Sequence, residues 1–200
     1  AAGLCLSAGC TRYEEVSVTA GVKETEETKV IQITEPETEP ETEGDRELLR
    51  IEKDGKIPSY LTGEMTELAI AWRRPVAIMI SNDKAALPHY GINHAGVIYE
   101  APVEGGMNRF MAVIEDYDNL ERIGSVRSCR TYYTFFAREF EAVYAHFGQS
   151  VFARPYLEKM EHLNGIEGKG SVAFYRTKDK KAPHNAYASG ERIQKAIEAM

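Results

Sequence analysis

Charged side chains stand beside glycines at the ends of apolar segments in this chain. The clearest case is the stretch from 99 to 110, where Glu100, Glu104 and Arg109 surround the pair Gly105-Gly106. Carboxylates and a guanidinium gathered at a tight turn can hold a charged ligand or take part in proton transfer. This segment is the first candidate functional region.

Two further arginines, Arg127 and Arg130, lie just ahead of a predicted helix that begins at Thr131. Guanidinium groups and the free N–H groups of a helix N-terminus both favour anions, so this spacing predicts an anion-binding surface. The same arginines can instead form salt bridges with Glu100 and Glu104 and only fix loops to one another. The sequence leaves both readings open.

Two histidines complete the candidate site. His146 stands at the end of a predicted strand, where it is either a base or a hydrogen-bonded core residue. His184 follows the rigid Pro183 and precedes Asn185, so it is the better candidate for ligand contact. The predicted ligand-binding residues are Glu100, Glu104, Arg109, Arg127, Arg130, His146, His184 and Asn185. No residue is assigned as catalytic, and no metal or cofactor is expected, because no accepted metal, nucleophile or phosphate-loop motif is present.

The elements that must position these residues begin with strands. Pro75–Ser81 is a continuous apolar run, which is typical of a strand buried on both faces of a sheet. Gly96–Glu100 and Phe110–Ile114 are predicted as an antiparallel pair joined through the turn at Gly105-Gly106.

The second half alternates helices with strands. The sequence predicts a helix over 131–140 capped by Thr131, a strand over 142–146, a helix over 152–163 and a strand over 171–175. Ser189 can cap a last helix that places Ile193, Ile197 and Met200 on one face. The fold class is therefore α/β, a mixed β-sheet with helices packed against it, in which an antiparallel opening is followed by alternating strands and helices.

The first ten residues predict a lipid anchor. Leu4–Cys10 runs from apolar residues through Ser7-Ala8-Gly9 to a cysteine, which is how a bacterial lipoprotein signal ends. Cys10 would carry the lipid and hold the protein on the outward face of the bacterial cytoplasmic membrane. The alternative is an apolar N-terminal tag with an incidental cysteine.

An acidic segment follows. Residues 11–44 hold ten glutamates against Arg12, Lys23 and Lys29, so the net charge of −7 belongs to this segment and the rest of the chain is neutral. Its Glu-Pro-Glu-Thr near-repeat predicts a disordered tether over 11–57, ahead of a folded domain over 58–200. A generic disordered terminus is the alternative. The neutral domain gives no support for nucleic-acid binding.

The order of several motifs resembles one bacterial family. These motifs are Leu61–Gly63, Arg73–Ile80, Tyr99-Glu100 with Val103–Gly106 and Arg109-Phe110, Ile123–Ser128 with Arg130, and Ala182–Asn185. They resemble the YerB-like lipoproteins, a family with a domain of unknown function. Asn108, Cys129 and Phe147 depart from the family pattern. The resemblance implies an exported, lipid-anchored α/β protein with a second domain beyond Met200, and it supplies no activity.

Two functions from different classes are compatible with these residues. The first is a binding or scaffolding module of the cell envelope, whose arginine-lined cleft takes a cell-wall polymer, an anionic small molecule or an envelope protein. The second is an envelope hydrolase acting on a glycan or phosphodiester, with Glu100 or Glu104 as general acid or base and His146 or His184 as its partner. The missing nucleophile and metal motifs favour the first.

Overall fold

The structure, a computed structural model, describes residues 50–200. The predicted signal and most of the predicted tether lie outside the described residues. The strands are β1 Lys56–Pro58, β2 Met65–Glu67, β3 Val76–Ser81, β4 Val97–Pro102, β5 Asn108–Ile114, β6 Ile123–Gly124, β7 Val143–His146, β8 His162–Asn164, β9 Phe174–Arg176 and β10 Ala186–Ala188. The α-helices are α1 Leu68–Ala71, α2 Thr131–Glu139, α3 Arg154–Leu157 and α4 Gly190–Glu198. Short 3-10 helices cover Lys84–Ala86, Ile92–His94, Glu104–Gly106, Val151–Ala153 and Lys169–Ala173.

A five-stranded mixed sheet forms the centre, in the order β4-β5-β3-β7-β8. β4, β5 and β3 are antiparallel neighbours, whereas β3, β7 and β8 run parallel. A three-stranded sheet, β6-β10-β9, and the pair β1-β2 complete the strands of the described part. The predicted fold class is confirmed, including the antiparallel pairing of the two strands around Gly105-Gly106.

The core lies on both faces of the central sheet, and β3 is therefore buried along its whole length. Val76, Ile78 and Ile80 contribute to one apolar cluster, together with Ile193 of α4. The alternate residues of β3 point to the other cluster, which includes Tyr133 of α2. This two-sided burial accounts for the uninterrupted apolar run seen in the sequence.

The helices match the predictions only in part. α2 and α4 form where predicted, and Ile193 is buried while Met200 lies beyond the helix and is exposed. Thr131 is not the cap, since Arg130 takes the N-cap position and Thr131 starts the helix.

The predicted helix over 152–163 was wrong, as was most of the strand over 171–175. The helix α3 covers only Arg154–Leu157, and the chain then enters β8 at His162. Most of the second segment is the 3-10 helix Lys169–Ala173, which leads into β9. At the N-terminal side, β1 begins at Lys56, two residues before the predicted domain start at 58. None of the helices in residues 50–200 is long and apolar enough to cross a membrane.

Candidate functional site

Polar side chains meet at the end of the central sheet where β3 and β4 end and β5 begins. Antiparallel pairing places Ser81 opposite Arg109 and Pro102 opposite Asn108. A small pocket opens at this end of the sheet, and we call it the arginine pocket. Its lining residues are Ser81, Asn82, Asp83, Val103, Met107, Asn108, Arg109 and Arg127.

Arg109 is a nearly buried cation at the base of the arginine pocket. Its residue is 5% exposed, and its Nη1 donates a hydrogen bond of 2.5 Å to the carbonyl of Ser128. Burial, helped by the positive charges of Arg130 and Arg127, lowers the pKa of Arg109 to about 10. No carboxylate among residues 50–200 forms a salt bridge with it.

Arg127 comes to the same pocket from the segment that crosses the end of β3. Its backbone N–H donates to the carbonyl of Met79, which fixes the segment against the strand. Its side chain donates through Nη1 to the carbonyl of Pro183 at 3.2 Å. Burial lowers the pKa of Arg127, an effect that Asp83 opposes and Arg130 strengthens. Within the described part of the chain, Arg127 also lacks a salt bridge.

Arg130 differs because it has a carboxylate partner. Its Nε lies 2.7 Å and 2.9 Å from the two carboxylate oxygens of Glu104, and its Nη2 also donates to that group. These hydrogen bonds lower the pKa of Glu104 to about 2. Gly105 and Gly106 follow with φ of +76° and +70°, which lets the chain turn back tightly into β5. A salt bridge that fixes one loop to another, the second of the two predicted roles, therefore applies to Arg130 and Glu104.

Glu100 contacts amides instead of arginines. Its Oε1 accepts hydrogen bonds from Nδ2 of Asn108 at 2.9 Å and from Nδ2 of Asn82 at 3.3 Å. Glu100 therefore orients two amides that line the arginine pocket. The two amides and Asp83 were not predicted as site residues, although Asn82 and Asp83 directly follow the predicted strand over 75–81.

The hairpin between β9 and β10 reaches the arginine pocket only through Pro183. Asn185 closes this hairpin, because its Oδ1 accepts from Arg176 at 2.6 Å and its Nδ2 donates to Thr177 at 3.1 Å. The Nδ1 of His184 is buried and has no hydrogen-bond partner among the described residues. His184 and Asn185 are therefore neighbours of the arginine pocket and do not line it.

His146 is the last residue of β7 and lies in a different part of the same end of the sheet. It is 0% exposed, its Nδ1 lies 2.8 Å from the carbonyl of Gly148, and its Nε2 lies 3.0 Å from Nδ1 of His162. Burial lowers its pKa to about 4.

Of the eight predicted residues, Arg109 and Arg127 line the arginine pocket. Glu100 contacts two amides of that pocket, and Glu104 pairs with Arg130. His184 and Asn185 belong to the neighbouring hairpin, and His146 belongs to the histidine pair. His162 received no role from the sequence, because it lies outside the predicted clusters of polar residues.

The chemistry available in the arginine pocket is binding of negative charge. Glu104 stays ionised and paired near neutral pH, so it has no proton to donate as a general acid. His146 is enclosed at the end of β7, and its two ring nitrogens lie within hydrogen-bond distance of Gly148 and His162. Within residues 50–200, no three His, Cys, Asp or Glu side chains are grouped to hold a metal ion.

Comparison with known proteins places the chain in a family. The sequence profile described as "Protein of unknown function (DUF3048) N-terminal domain" matches residues 61–200. The chain is 37% identical over 145 residues to the Bacillus subtilis (strain 168) protein named "Putative lipoprotein YerB", which covers 72% of this chain and 43% of that protein. A crystal structure of the Bacillus subtilis YerB protein superposes with a TM-score of 0.64 at 36% identity, covering 70% of this chain and 48% of that one. The chain thus spans less than half the length of these relatives. It belongs to the DUF3048 family, of which residues 61–200 form the N-terminal domain.

Proposed function

We propose that this chain is a lipid-anchored binding module of the cell envelope that holds the anionic group of a ligand at the mouth of the arginine pocket, which itself measures only about 10 Å³. The observation that carries the proposal is the pair Arg109, nearly buried, and Arg127, half-buried, two guanidinium groups that have no salt bridge within residues 50–200. Cationic side chains taken out of water without a partner are costly to a folded protein. An anion from outside the chain would offset that cost.

The identity of the donors supports an oxyanion as the bound group. A guanidinium presents N–H donors in a planar fork that matches the oxygens of phosphate or carboxylate. Arg109 uses Nη1 on a backbone carbonyl, and Arg127 uses Nη1 on another, so each group is held in place while further N–H donors remain for a ligand. Two fixed guanidinium groups need little reorganisation on binding.

The location of the module is proposed from its N-terminal sequence and its relative. The printed name of the Bacillus subtilis relative describes a lipoprotein. Cys10 follows small residues as a lipidated cysteine does, and the acidic segment after it suits a spacer on an outward-facing membrane surface. The ligand classes within reach there are a cell-wall polymer, an anionic small molecule and an envelope protein.

Titration of the purified chain with poly(glycerol phosphate) and with inorganic phosphate tests the proposal. We expect binding by the parent and a loss of at least about tenfold in affinity for Arg127→Ala, because one charged hydrogen-bond donor is removed. Arg127→Lys keeps the charge without the fork and should fall between the two.

Arg138→Ala is the matched control. It removes the same charge from an exposed position in the last turn of α2 and should bind as the parent does. Absence of phosphate binding by the folded parent, or equal binding by folded Arg127→Ala, would overturn the proposal.

A further inference from the structure

A second cavity of about 480 Å³ adjoins the arginine pocket. The two share four lining residues, so they form one continuous groove. The shared residues are Asn82, Asp83, Met107 and Asn108. Lys84 and Gly106 complete the second cavity, which we call the amide cavity.

The two ends of this groove differ in hydrogen-bonding character. The arginine pocket supplies N–H donors from Arg109 and Arg127. In the amide cavity, Asn82 and Asn108 each donate a hydrogen bond from Nδ2 to Glu100. Their Oδ1 atoms accept no hydrogen bond from residues 50–200. Their amide carbonyl oxygens are therefore the groups left for a ligand.

Asp83 adds further acceptor capacity to the amide cavity. Its Oδ1 accepts the backbone N–H of Ala85 at 2.7 Å, and its Oδ2 has no donor in the described part of the chain. A free carboxylate oxygen beside two amide oxygens attracts hydroxyl hydrogens, and the exposed Lys84 on the same cavity balances the charge of Asp83. A ligand that is anionic at one end and carries hydroxyl groups at the other therefore suits the groove.

We infer that the groove binds a phosphate ester of a polyol or sugar, with the phosphate at the mouth of the arginine pocket and the hydroxyl groups in the amide cavity. This inference rests on the proposed function and names the class of its ligand. A phosphate fits two guanidinium groups because its oxygens can accept from both, and Arg109 and Arg127 come from separate segments of the chain. The exposed thioether of Met107 gives the carbon skeleton an apolar surface.

A pair of ligands with the same carbon skeleton tests the inference. Glycerol 1-phosphate and n-propyl phosphate share three carbons and one phosphate, and they differ in their hydroxyl groups. We expect the parent chain to bind glycerol 1-phosphate about threefold more tightly in calorimetric titration, because its hydroxyl groups reach acceptors that the propyl ester leaves to water. Poly(glycerol phosphate) in a parallel titration assigns the source as polymer or free ester.

Asp83→Asn identifies the group responsible. It keeps an oxygen for the Ala85 N–H and replaces the free acceptor with a donor, so the preference for the hydroxylated ester should fall toward unity. Glu198→Gln removes the same charge from the C-terminal end of α4 and should keep the parent preference.

The outcomes separate the two proposals. Equal affinity of the parent for both esters would overturn the inference and leave the anion site intact. An unchanged preference in folded Asp83→Asn would also overturn the inference. Failure of both esters to bind the folded parent would overturn the proposed function with it.

Discussion

The buried ionisable side chains of this domain differ in their charge at neutral pH and in the groups that they contact. Arg109 stays charged although it is nearly enclosed, because even its lowered pKa of about 10 lies well above neutrality. His146 is enclosed to a similar degree and is neutral at the same pH, since burial lowers its pKa to about 4. Arg109 therefore keeps its positive charge at neutral pH, whereas the neutral imidazole is held by Gly148 and His162.

The neutral state of His146 predicts acid sensitivity. Its pKa falls from 6.5 to about 4 in the folded protein, so between these pH values the unfolded chain binds a proton at His146 and the native chain does not. The contribution of the neutral His146 to the free energy of unfolding is fully present above pH 6.5 and decreases as the pH falls toward 4. We expect the free energy of unfolding to drop by about 3 kcal/mol over this range in urea denaturation. The lowered pKa of His162 adds to the same trend.

Substitution assigns this pH dependence to the histidine pair. His146→Gln should be less stable than the parent at neutral pH and should show a flatter dependence between pH 6.5 and 4. His94→Gln replaces an exposed histidine of a surface 3-10 helix and should retain the parent slope. A parent chain whose stability is constant across this range would contradict the argument.

Residue types alone could identify the arginines as candidates, but they could not divide the roles among them. Arg109, Arg127 and Arg130 are chemically identical and lie near the same carboxylates in the sequence. The register between β3 and β5 brings Arg109 into the interior, and the turn at Gly105-Gly106 brings Glu104 to Arg130. These pairings depend on which strands are neighbours, which local sequence does not specify.

At the scale of elements, α2 holds the strands that carry the arginine pocket. The Tyr133 side chain extends from α2 across the sheet, and its hydroxyl accepts the Ala101 N–H at 3.1 Å and lies within hydrogen-bond distance of the Arg109 carbonyl. The hydroxyl is buried, and burial raises its pKa to about 12. One side chain therefore connects α2, β4 and β5 directly at the residue that forms the base of the pocket.

Tyr133→Phe should destabilise the domain and loosen the arginine pocket. Removal of the hydroxyl leaves buried backbone groups unpaired, which costs about 1–3 kcal/mol. We expect this loss in urea denaturation, together with weaker binding of inorganic phosphate, because the carbonyl of Arg109 loses its fixed partner. Tyr132→Phe is the control, since it deletes the neighbouring, partly exposed hydroxyl that donates to Pro102. Equal stability of the two variants would refute the role of Tyr133.

Strands and helices of this domain differed in how far the sequence predicted them. β3 and the β4–β5 pair were predicted because burial on both faces and a glycine turn leave strong local patterns. The prediction of one helix over 152–163 was wrong because the segment divides between two elements, with Leu157 at the end of α3 and Leu163 in β8. His162 enters β8 through parallel pairing with β7, a long-range interaction that overrides local preference.

At the scale of the whole molecule, the net negative charge and the described domain lie in different parts of the sequence. The segment 11–44 carries the whole net charge of −7, and residues 45–200 are neutral in total. A neutral domain with an arginine pocket would attract an anionic ligand locally, whereas the acidic segment would repel an anionic membrane surface. This division suits a binding domain held at a distance from the bilayer.

The proposed anchor predicts a specific covalent modification. Cells that express this chain behind a bacterial lipoprotein signal and are fed an alkyne fatty acid should yield labelled protein in the membrane fraction. Cys10→Ser should be unlabelled and released from the membrane, because the thiol that accepts the lipid is absent. Cys129→Ser is the control, since Cys129 is buried and its thiol pKa is raised to about 11, so this variant should be labelled like the parent. Equal labelling of the Cys10→Ser protein would exclude Cys10 as the lipid site and remove the basis for an outward-facing, tethered domain.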